Sequence, residues 1–576
     1  MPENNGSASY AFSLGCLAQL ASSGVKTVIA SPGFRNSPLL LAAHRTHGID
    51  VVTAVDERGA AFLAIGIARA QRLPVALLCT SGTAVGNYLP AVMEANHAQV
   101  PLILLTADRP QELVGTGANQ CTDQTKIFGP HVRAFYDSAP PSGALHEENQ
   151  AGYLMGKAVS QSLKPVPGPV HVNLRFREPF LPSPDDCSRL ESREKPRPWS
   201  FYASTSGPGE DQAFAINSMV RTAKRPMFVL GPGCYGQKLL GRLTELSART
   251  GIPIVAEPAS GIAFCENGAK SSLVHRAEAC LSAMARGALP TPDLFIRFGG
   301  PLTGRVFPKL LSSSNIPQLV FEEWGEAREP GFHPSILVEG NIEAWLGEAA
   351  VWSEASAEHA WVETLLDFDA REEKRVERHI KENPFFTEWH FQRALSGRMG
   401  RGSNLFLGNS MPIRDFNSVF PLSAPRIRVL SNRGLSGIDG LIATATGVAY
   451  GSGRETHAVI GDLSTLHDLP SFALAASLRN RLNLTLWIMN NHGGEIFRIV
   501  QTARSGAPPE WFTTPQEYDL SALAKSFRIS FLRVHDLASL EALGPEVFSE
   551  GGVRIIEVMA TGEENLKIRK SFSEGD

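Results

Sequence analysis

Short runs rich in Val, Ile and Leu recur along the chain, separated by stretches long enough for helices. The runs are apolar at consecutive positions, which is typical of parallel strands that helices cover on both faces of a sheet. Most runs end in Gly, Ser, Asp or Glu, at the position where a doubly wound sheet has its ligand-binding loops. In the first third of the chain, these runs begin at Val25, Val51, Pro74, Pro101 and Pro169.

Two more series of apolar runs follow the first. The second series has runs that begin at Pro226, Ile252, Asp293, Pro317 and Ser335. The third series has runs that begin at Ser403, Ile427, His457, Leu482, Arg528 and Val553. The pattern predicts the α/β class, with three doubly wound parallel-sheet domains in series.

Two stretches without apolar runs separate the three series. The first, 186–200, is rich in Pro and charged residues and predicts a linker. The second contains the sequence DAREEKRVERHIKEN, which predicts a helix with a solvated, charged face. The predicted order is an α/β domain at 1–185, the linker at 186–200, a central α/β domain at 201–355, a charged helical connection at 356–385 and a last α/β domain at 386–576.

The composition excludes several classes of protein. With 54 basic and 58 acidic side chains, the net charge of −4 gives no positive field for nucleic acid or for an anionic membrane surface. Seven cysteines without a CxxC pair favour a reducing cytoplasm over a disulfide framework. The first residues lack the basic region of a signal peptide, and no apolar run approaches the roughly 18 residues of a membrane span.

The third series contains two runs with polar ends, and the spacing between them fits a strand–helix–strand unit. Gly461-Asp462 ends one apolar run, a helical segment follows, and the next run ends in Asn490-Asn491. A right-handed strand–helix–strand unit brings the carboxyl ends of neighbouring parallel strands side by side. Asp462 and Asn491 would then present oxygen ligands to one point, with the carbonyl of Gly493 nearby. Mg²⁺ prefers such oxygen ligands and shares its shell with water and phosphates.

This segment, GDLSTLHDLPSFALAASLRNRLNLTLWIMNN, resembles the GD…NN motif of thiamine diphosphate (ThDP) enzymes, which binds the metal and the cofactor's diphosphate. The resemblance makes 1–185 the pyrimidine-binding domain and 386–576 the diphosphate- and metal-binding domain. It implies Mg²⁺, with Mn²⁺ as an alternative, held by Asp462, Asn491 and Gly493. It also implies cofactor contacts by Gly461, Asp462, Leu463, Ser464 and Asn491.

The first domain carries a candidate catalytic residue. In VVTAVDERGAAF, Glu57 stands where ThDP enzymes have the glutamate that hydrogen-bonds the aminopyrimidine ring of the cofactor. Such a carboxylate stabilises the imino tautomer, which removes the thiazolium proton. An alternative interpretation is that Asp56, Glu57 and Arg58 form only a charged strand-to-helix turn with a capping role.

Three further segments resemble one family among the ThDP enzymes. They are SPGFRNSPLLLAA from Ser31, the stretch from Thr80 to Gln124 with LTADRP and GANQ, and the stretch from Leu407 to Gly447 with GNSMPIR and SNRGLSGIDG. Together with the GD…NN segment they resemble the 2-succinyl-5-enolpyruvyl-6-hydroxy-3-cyclohexene-1-carboxylate (SEPHCHC) synthase family, MenD, of menaquinone biosynthesis. The resemblance implies a ThDP-dependent transferase that decarboxylates 2-oxoglutarate and adds the succinyl unit to isochorismate. It covers the first and third domains, and the middle domain matches in order and position.

The resemblance also implies a set of substrate ligands. Both substrates are dicarboxylates, and the planar guanidinium of arginine binds carboxylates in a bidentate way. The implied substrate ligands are Arg35, Arg109, Arg414, Arg433, the middle-domain Arg305, and the polar residues Asn119, Gln120 and Ser410. Ile438 is implied to support the bent cofactor, and Ile496 and Phe497 to form an apolar wall beside the reacting carbon. All three would look the same as core residues.

The sequence departs from the family pattern at Phe34, Val306 and Glu495, which affects substrate affinity or identity rather than ThDP binding. Because the family joins the glutamate and the metal motif across a subunit interface, a homodimer or homotetramer is implied. Two alternatives stay open at this point. One is another ThDP-dependent 2-oxoacid decarboxylase or acetolactate-synthase-like ligase. The other is a catalytically silent ThDP-fold binding module.

Overall fold

The structure, a computed structural model, contains three sheets of six parallel strands each. The predicted α/β class with three parallel sheets is therefore confirmed. The residues that the structure describes are 5–574 without 145, 194–196, 202–208, 234, 266–271, 324–327, 330–332, 334, 422–424 and 501–505.

The first sheet has the strand order β2-β1-β3-β4-β6-β5 and buries apolar side chains of one face against α1, α2 and α6. Its strands are β1 (Thr27–Ala30), β2 (Asp50–Thr53), β3 (Val75–Cys79), β4 (Leu102–Asp108), β5 (Ala134–Ser138) and β6 (Pro169–Arg175). The helices of this part are α1 (Asn5–Ser22), α2 (Ser37–Arg45), α3 (Glu57–Gln71), α4 (Thr83–Asn87), α5 (Leu89–His97), α6 (Glu147–Leu163) and α7 (Pro184–Glu191). Part of α7 lies in the predicted linker.

The second sheet has the order β12-β11-β10-β7-β8-β9. Its strands are β7 (Pro226–Leu230), β8 (Ile254–Ala256), β9 (Leu273–Val274), β10 (Leu294–Phe298), β11 (Gln318–Glu322) and β12 (Ser335–Glu339). Its helices are α8 (Glu210–Thr222), α9 (Gln237–Thr250), α10 (Ala277–Ala285), α11 (Val306–Ser312), α12 (Ile342–Gly347) and α13 (Ala349–Trp352). The long helix α14 (His359–Glu382) follows, with a charged face and a buried side that includes Leu365 and Ile380.

The third sheet has the order β14-β13-β15-β16-β18-β17. Its strands are β13 (Asn404–Leu407), β14 (Arg428–Ser431), β15 (Thr456–Gly461), β16 (Asn483–Asn490), β17 (Ser530–Val534) and β18 (Gly552–Met559). The helices are α15 (Glu388–Leu395), α16 (Met411–Val419), α17 (Leu441–Ser452), α18 (Asp462–His467), α19 (Ser471–Ser477), α20 (Glu510–Thr513), α21 (Leu520–Ser526), α22 (Leu537–Glu541), α23 (Glu546–Ser549) and α24 (Gly562–Glu574).

The chain forms two compact units that do not follow the order of the sequence. One unit comprises Met1–Ser204, Asn432–Gly453 and His467–Leu482, and the other comprises Thr205–Ser431, Arg454–Leu466 and Asn483–Asp576. The first unit therefore contains α17 and α19 as well as the first sheet. The strands of the second and third sheets belong to the second unit.

Within the first unit, α3 and α17 pack with their backbones in close approach. A Cβ atom added at Gly66 would lie 2.1 Å from the carbonyl oxygen of Thr444, and one added at Gly447 would lie 2.2 Å from that of Leu63. Only glycine fits at both positions, because any side chain would push the helices apart. This crossing fixes α3, whose first residue is Glu57.

Among the helices of the described residues, none is both long enough and apolar enough to cross a membrane.

Candidate functional site

The polar strand ends of the third sheet lie on neighbouring strands. β15 and β16 pair in parallel, with Gly461 opposite Met489. Asp462 begins α18 directly after β15, and Asn491 directly follows β16. The predicted strand–helix–strand unit is confirmed, and it places the two side chains at the same edge of the sheet.

The Asp462 carboxylate is buried and held by backbone N–H groups. The N–H of Leu463 donates to Oδ1 at 2.7 Å, and the N–H of Gly493 donates to Oδ2 at 2.8 Å. Burial raises the pKa of Asp462 to about 6, although these hydrogen bonds act in the opposite direction. Tyr518 donates its hydroxyl to the main-chain carbonyl of Asp462 at 3.2 Å. Among the described residues, no cationic side chain donates a hydrogen bond to this carboxylate, which makes it a favourable ligand for a metal ion.

Asn491 adds an oxygen atom that the protein leaves unused. Its Nδ2 donates to Glu388 Oε1 at 2.7 Å, which directs the amide. Its Oδ1 is buried, and no hydrogen-bond donor among the described residues reaches it. The carbonyl of Gly493, the third predicted ligand, accepts the N–H of Glu495 at 3.0 Å and keeps a second lone pair. This donor set fits a hard divalent cation.

A short 3₁₀ turn, Glu495–Arg498, follows the metal-site residues. Ile496 is half-buried there, and Phe497 is exposed with its ring centroid 6.4 Å from that of Phe512. The Glu495 carboxylate accepts Arg498 Nε at 3.0 Å. The charge of Glu495, which departs from the family pattern, therefore has a local partner. In α18, Ser464 is buried one turn from the end of β15.

The second unit also contains two of the predicted substrate arginines. Ser410 precedes α16 with a positive φ of 70°, and its carbonyl accepts Arg414 Nη1 at 2.6 Å. Burial lowers the pKa of Arg414, and the nearby guanidinium of Arg305 lowers it further. Arg305 is exposed, immediately before Val306, the first residue of α11. The two guanidinium groups therefore lie in the same part of the second unit.

Two acidic side chains accompany these arginines. Glu257 accepts the N–H of Thr303 at 2.8 Å and lies close enough to Arg414 to raise the pKa of that guanidinium. Burial, followed by the charge of Glu257, raises the pKa of Glu278 to about 7. The sequence analysis did not identify either glutamate. Glu257 follows β8 in a run that ends in a polar residue, which is the signal that would have found it.

In the first unit, Arg35 and Arg109 are both buried near the carboxyl end of the first sheet. Arg35 donates Nη1 to the carbonyl of Phe176 at 2.6 Å, and its guanidinium lies 4.6 Å from the ring centroid of Phe180. Burial lowers the pKa of Arg35, and Arg109 lowers it further. Phe34, another departure from the family pattern, is 74% exposed and packs edge-on against Phe180.

Ser81 joins Arg109 to Gln120. Arg109 donates Nη1 to Ser81 Oγ. Gln120 donates Nε2 to the carbonyl of Ser81 at 3.0 Å, and Ser81 Oγ donates back to the carbonyl of Gln120 at 3.2 Å. Asn119 precedes Gln120 and is exposed. The structure therefore brings Arg35, Arg109 and Gln120 together in the first unit, with Asn119 at the edge of the group.

Glu57 is the first residue of α3, at the carboxyl end of β2, and is half-buried. Asn87 Nδ2 donates to Glu57 Oε2 at 3.3 Å. The capping role belongs to Asp56, whose side chain accepts the N–H of Arg58 at 3.0 Å. Arg58 pairs with Asp468 at 3.2 Å. The alternative interpretation therefore accounts for Asp56 and Arg58, and it fits Glu57 as an acidic residue in the first turn of α3.

Arg433 and Ile438 lie in the loop between β14 and α17, which is part of the first unit. Arg433 is half-buried, and Ile438 is 40% exposed. The exposure of Ile438 argues against its interpretation as a core residue.

A buried polar network below Arg109 was missing from the sequence analysis. The Arg109 N–H donates to Asp108 Oδ1 at 2.7 Å, and Arg175 Nη1 donates to the Arg109 carbonyl at 2.8 Å. Arg175 also pairs with Asp108 at 3.0 Å, and Asn173 Nδ2 donates to the same carboxylate at 2.8 Å. Polar residues at alternate positions of β6, in the sequence PVHVNLR, were the available signal.

Models of two protein families match the chain. The N-terminal TPP binding domain of thiamine pyrophosphate enzymes matches residues 15–127, and the C-terminal TPP binding domain of these enzymes matches residues 415–558. Thiamine pyrophosphate is another name for ThDP.

Curated proteins named 2-succinyl-5-enolpyruvyl-6-hydroxy-3-cyclohexene-1-carboxylate synthase are similar over nearly the whole chain. The one from Geobacillus kaustophilus is 32% identical over 96% of this chain and 95% of its own. The one from Chloroflexus aurantiacus is 35% identical over 95% of this chain and 93% of its own. The crystal structure of benzoylformate decarboxylase from Polynucleobacter necessarius covers 96% of this chain and 98% of its own, with a TM-score of 0.70 and 15% identity, and shares the fold.

Proposed function

Because the chain belongs to the SEPHCHC synthase family of thiamine pyrophosphate enzymes, we propose that it decarboxylates 2-oxoglutarate and adds the succinyl unit to isochorismate. The proposal rests on one observation above all, the identity of 32–35% with these synthases over 95–96% of the chain. The positions of the basic side chains support it, since both substrates carry two carboxylates.

We propose that Glu57 and the metal-site residues of the third sheet each bind part of ThDP. When bound, ThDP supplies the carbanion that attacks a 2-oxoacid and accepts the electron pair released with carbon dioxide. Asp462, Asn491 and Gly493 would hold Mg²⁺, or Mn²⁺ in its place. The further cofactor contacts that we propose are Gly461, Leu463, Ser464, Ile438 and Ile496. Glu57 would hold the cofactor's aminopyrimidine in the tautomer that accepts a proton.

The remaining predicted residues would bind and orient the two dicarboxylates. Those in the first unit are Arg35, Arg109, Asn119, Gln120 and Arg433. Those in the second unit are Arg305, Ser410, Arg414 and Phe497. Burial and a neighbouring arginine lower the pKa of both Arg35 and Arg414, and an anionic ligand would stabilise the charge of each guanidinium.

We propose a homodimer or homotetramer, because the family joins the glutamate and the metal motif across a subunit interface. We propose the cytoplasm as its location, and the six described cysteines, all of them free thiols, agree with a reducing compartment.

The test is a coupled assay that follows the loss of isochorismate in the presence of 2-oxoglutarate, with and without ThDP and Mg²⁺. Consumption that needs both additions is expected. Carbon dioxide release from pyruvate, with none from 2-oxoglutarate, would replace the proposal with another 2-oxoacid decarboxylase or ligase. If ThDP with Mg²⁺ fails to raise the melting temperature, the chain is a silent binding module instead.

A further inference from the structure

The loop that carries Arg433 is held on both sides by a buried ion pair from two other helices. Glu94 lies on α5 and Arg69 lies on α3, and both side chains are almost fully buried. Arg69 Nη2 lies 3.5 Å from Glu94 Oε1. All of these elements belong to the first unit.

Glu94 binds the backbone that follows Arg433. The N–H of Gly434 donates to Glu94 Oε1 at 2.9 Å, and the N–H of Leu435 donates to Oε2 at 2.7 Å. A Cβ atom added at Gly434 would lie 2.5 Å from the carbonyl oxygen of Glu94, so the loop also lies directly against α5. Both carboxylate oxygens are therefore used to hold two successive peptide groups.

Arg69 binds the residue that precedes Arg433. Its Nη1 donates to Asn432 Oδ1 at 3.0 Å. The Asn432 amide in turn donates Nδ2 to Thr444 Oγ1 on α17 at 3.0 Å. The side chain that precedes Arg433 and the backbone that follows it are thus held, while Arg433 itself is half-buried.

We propose that Glu94 and Arg69 are positioning residues that hold Arg433 ready for a carboxylate of the substrate. The inference rests on the proposed function, and it adds two residues to the recognition of the dicarboxylates. The ion pair holds the loop before any ligand binds, so binding does not have to order the loop. A carboxylate is needed at position 94, because the two N–H groups bind different oxygens. A glutamine would present its NH₂ group to one of these donors and would leave Arg69 without a counter-charge.

The first test compares KM and kcat for both dicarboxylates in the wild type and in Glu94→Gln. The variant is isosteric, and we expect KM for the dicarboxylate that Arg433 binds to rise about tenfold, with a smaller change in kcat and no change in ThDP affinity. Asp293→Asn is the matched control. Asp293 also accepts two successive N–H groups, those of Lys224 and Arg225 at 2.8 and 2.9 Å, but touches no residue of the candidate site. The control should keep both KM values.

A double variant separates positioning from a general loss of stability. If Glu94 acts through Arg433, Glu94→Gln should raise KM less than about twofold in an Arg433→Ala background. Effects that multiply in the double variant, or an unchanged KM in Glu94→Gln, would overturn the inference. A wild type with no turnover of either dicarboxylate would instead refute the proposed function.

Hydrogen exchange tests the ion pair without any turnover. In the wild type, the amides of Gly434 and Leu435 should exchange slowly, and Glu94→Gln should speed their exchange about tenfold or more. Arg69→Gln should speed it as well, because the carboxylate then loses its cation. Equal exchange in the wild type and both variants would show that the ion pair does not hold the loop.

Discussion

The carboxyl ends of the first and third sheets have the same strand order but carry different polar residues after some of their strands. Both sheets are parallel and carry polar side chains directly after buried strands. After β4 of the first sheet comes a buried arginine, Arg109, whereas β15 and β16 of the third sheet lead to Asp462 and Asn491. The fold decides where loops meet, and the residues immediately after each strand decide whether an anion or a cation is bound there.

The hydrogen bonding of the polar side chains next to Arg109 and of Asn491 also differs. Below Arg109, the side chains of Asp108, Asn173 and Arg175 hydrogen-bond one another and leave a rigid base. In the third sheet, the buried Oδ1 of Asn491 accepts no hydrogen bond from the described residues. A satisfied network supports a loop, whereas an unsatisfied oxygen is available to a ligand.

Glu57→Gln should have the largest effect, because it removes the carboxylate of the first-sheet region. Turnover should fall roughly 10²- to 10⁴-fold, the range for loss of a positioned proton-transfer partner. Steady-state kinetics with saturating ThDP measures it. Asp56→Asn is the control, since Asp56 only caps α3. Turnover at the wild-type level would remove Glu57 from this role.

Asp462→Asn tests the candidate metal site of the third sheet and should mainly weaken the binding of the metal and the cofactor. The amide keeps one oxygen ligand but loses the negative charge, and we expect the apparent affinity for ThDP with Mg²⁺ to fall about 100-fold. Thermal-shift titrations with ThDP and Mg²⁺ measure this affinity. An unchanged affinity would mean that the metal is bound elsewhere.

Arg414→Ala tests whether the second unit also binds an anion. If it does, anion binding is not confined to the first-sheet region. KM for one dicarboxylate should rise about 10- to 100-fold, because a charge-assisted pair of hydrogen bonds is lost. ThDP affinity should not change. Arg401→Ala removes an exposed arginine of the same unit and is the control. Loss of ThDP affinity in Arg414→Ala would show that its role is misplaced.

Gly66→Ala tests how far the first-sheet region depends on the helix crossing that supports it. The added methyl group would meet the Thr444 carbonyl oxygen at 2.1 Å, so unfolding should become easier by about 1–3 kcal/mol. Chemical denaturation measures the change. Gly86→Ala on α4 is the matched control, since its Cβ would meet no atom within 4 Å. Equal stability of the two variants would mean that α3 and α17 can separate without cost.

The pH dependence of the free energy of unfolding should reveal the buried histidine of the first sheet. Burial lowers the pKa of His171 on β6 to about 3 from an ordinary value of 6.5. His171 is neutral in the folded state, so it has no effect above pH 6.5, and stability falls below it by about 1.4 kcal/mol per pH unit.

Denaturation curves of the wild type and His171→Gln between pH 6.5 and pH 5 measure this slope. The variant should show the flatter dependence. His44→Gln, which replaces an exposed histidine, should keep the slope of the wild type. An equal slope in His171→Gln and the wild type would show that another group causes the loss in acid.

The strands that the sequence analysis found and missed follow from the apolar runs in the sequence. All six strands of the third sheet were predicted, because each is an apolar run. The two missed strands, β5 and β9, are edge strands. β5 is mostly half-exposed and β9 has two residues, so neither produces a long apolar run. The predicted domain boundaries stay predictions.

The candidate site was predictable where local rules apply. Asp462 and Asn491 were expected to lie close together, because a right-handed connection joins the two consecutive strands that they follow. The contact of Glu94 with Gly434 joins residues 340 positions apart through a backbone N–H, and no pattern of side chains indicates such a contact. The same holds for α17, which packs against α3 from the first third of the chain.

The packing of α17 against α3 has a consequence for anyone who divides this chain. A fragment that stops after the first sheet would lack α17 and expose the glycine-lined face of α3 to water. A chimera that takes the first sheet from a relative would combine two helices whose surfaces did not evolve together. The segment Asn432–Gly453 therefore has to be exchanged together with residues 1–204, because both belong to one compact unit.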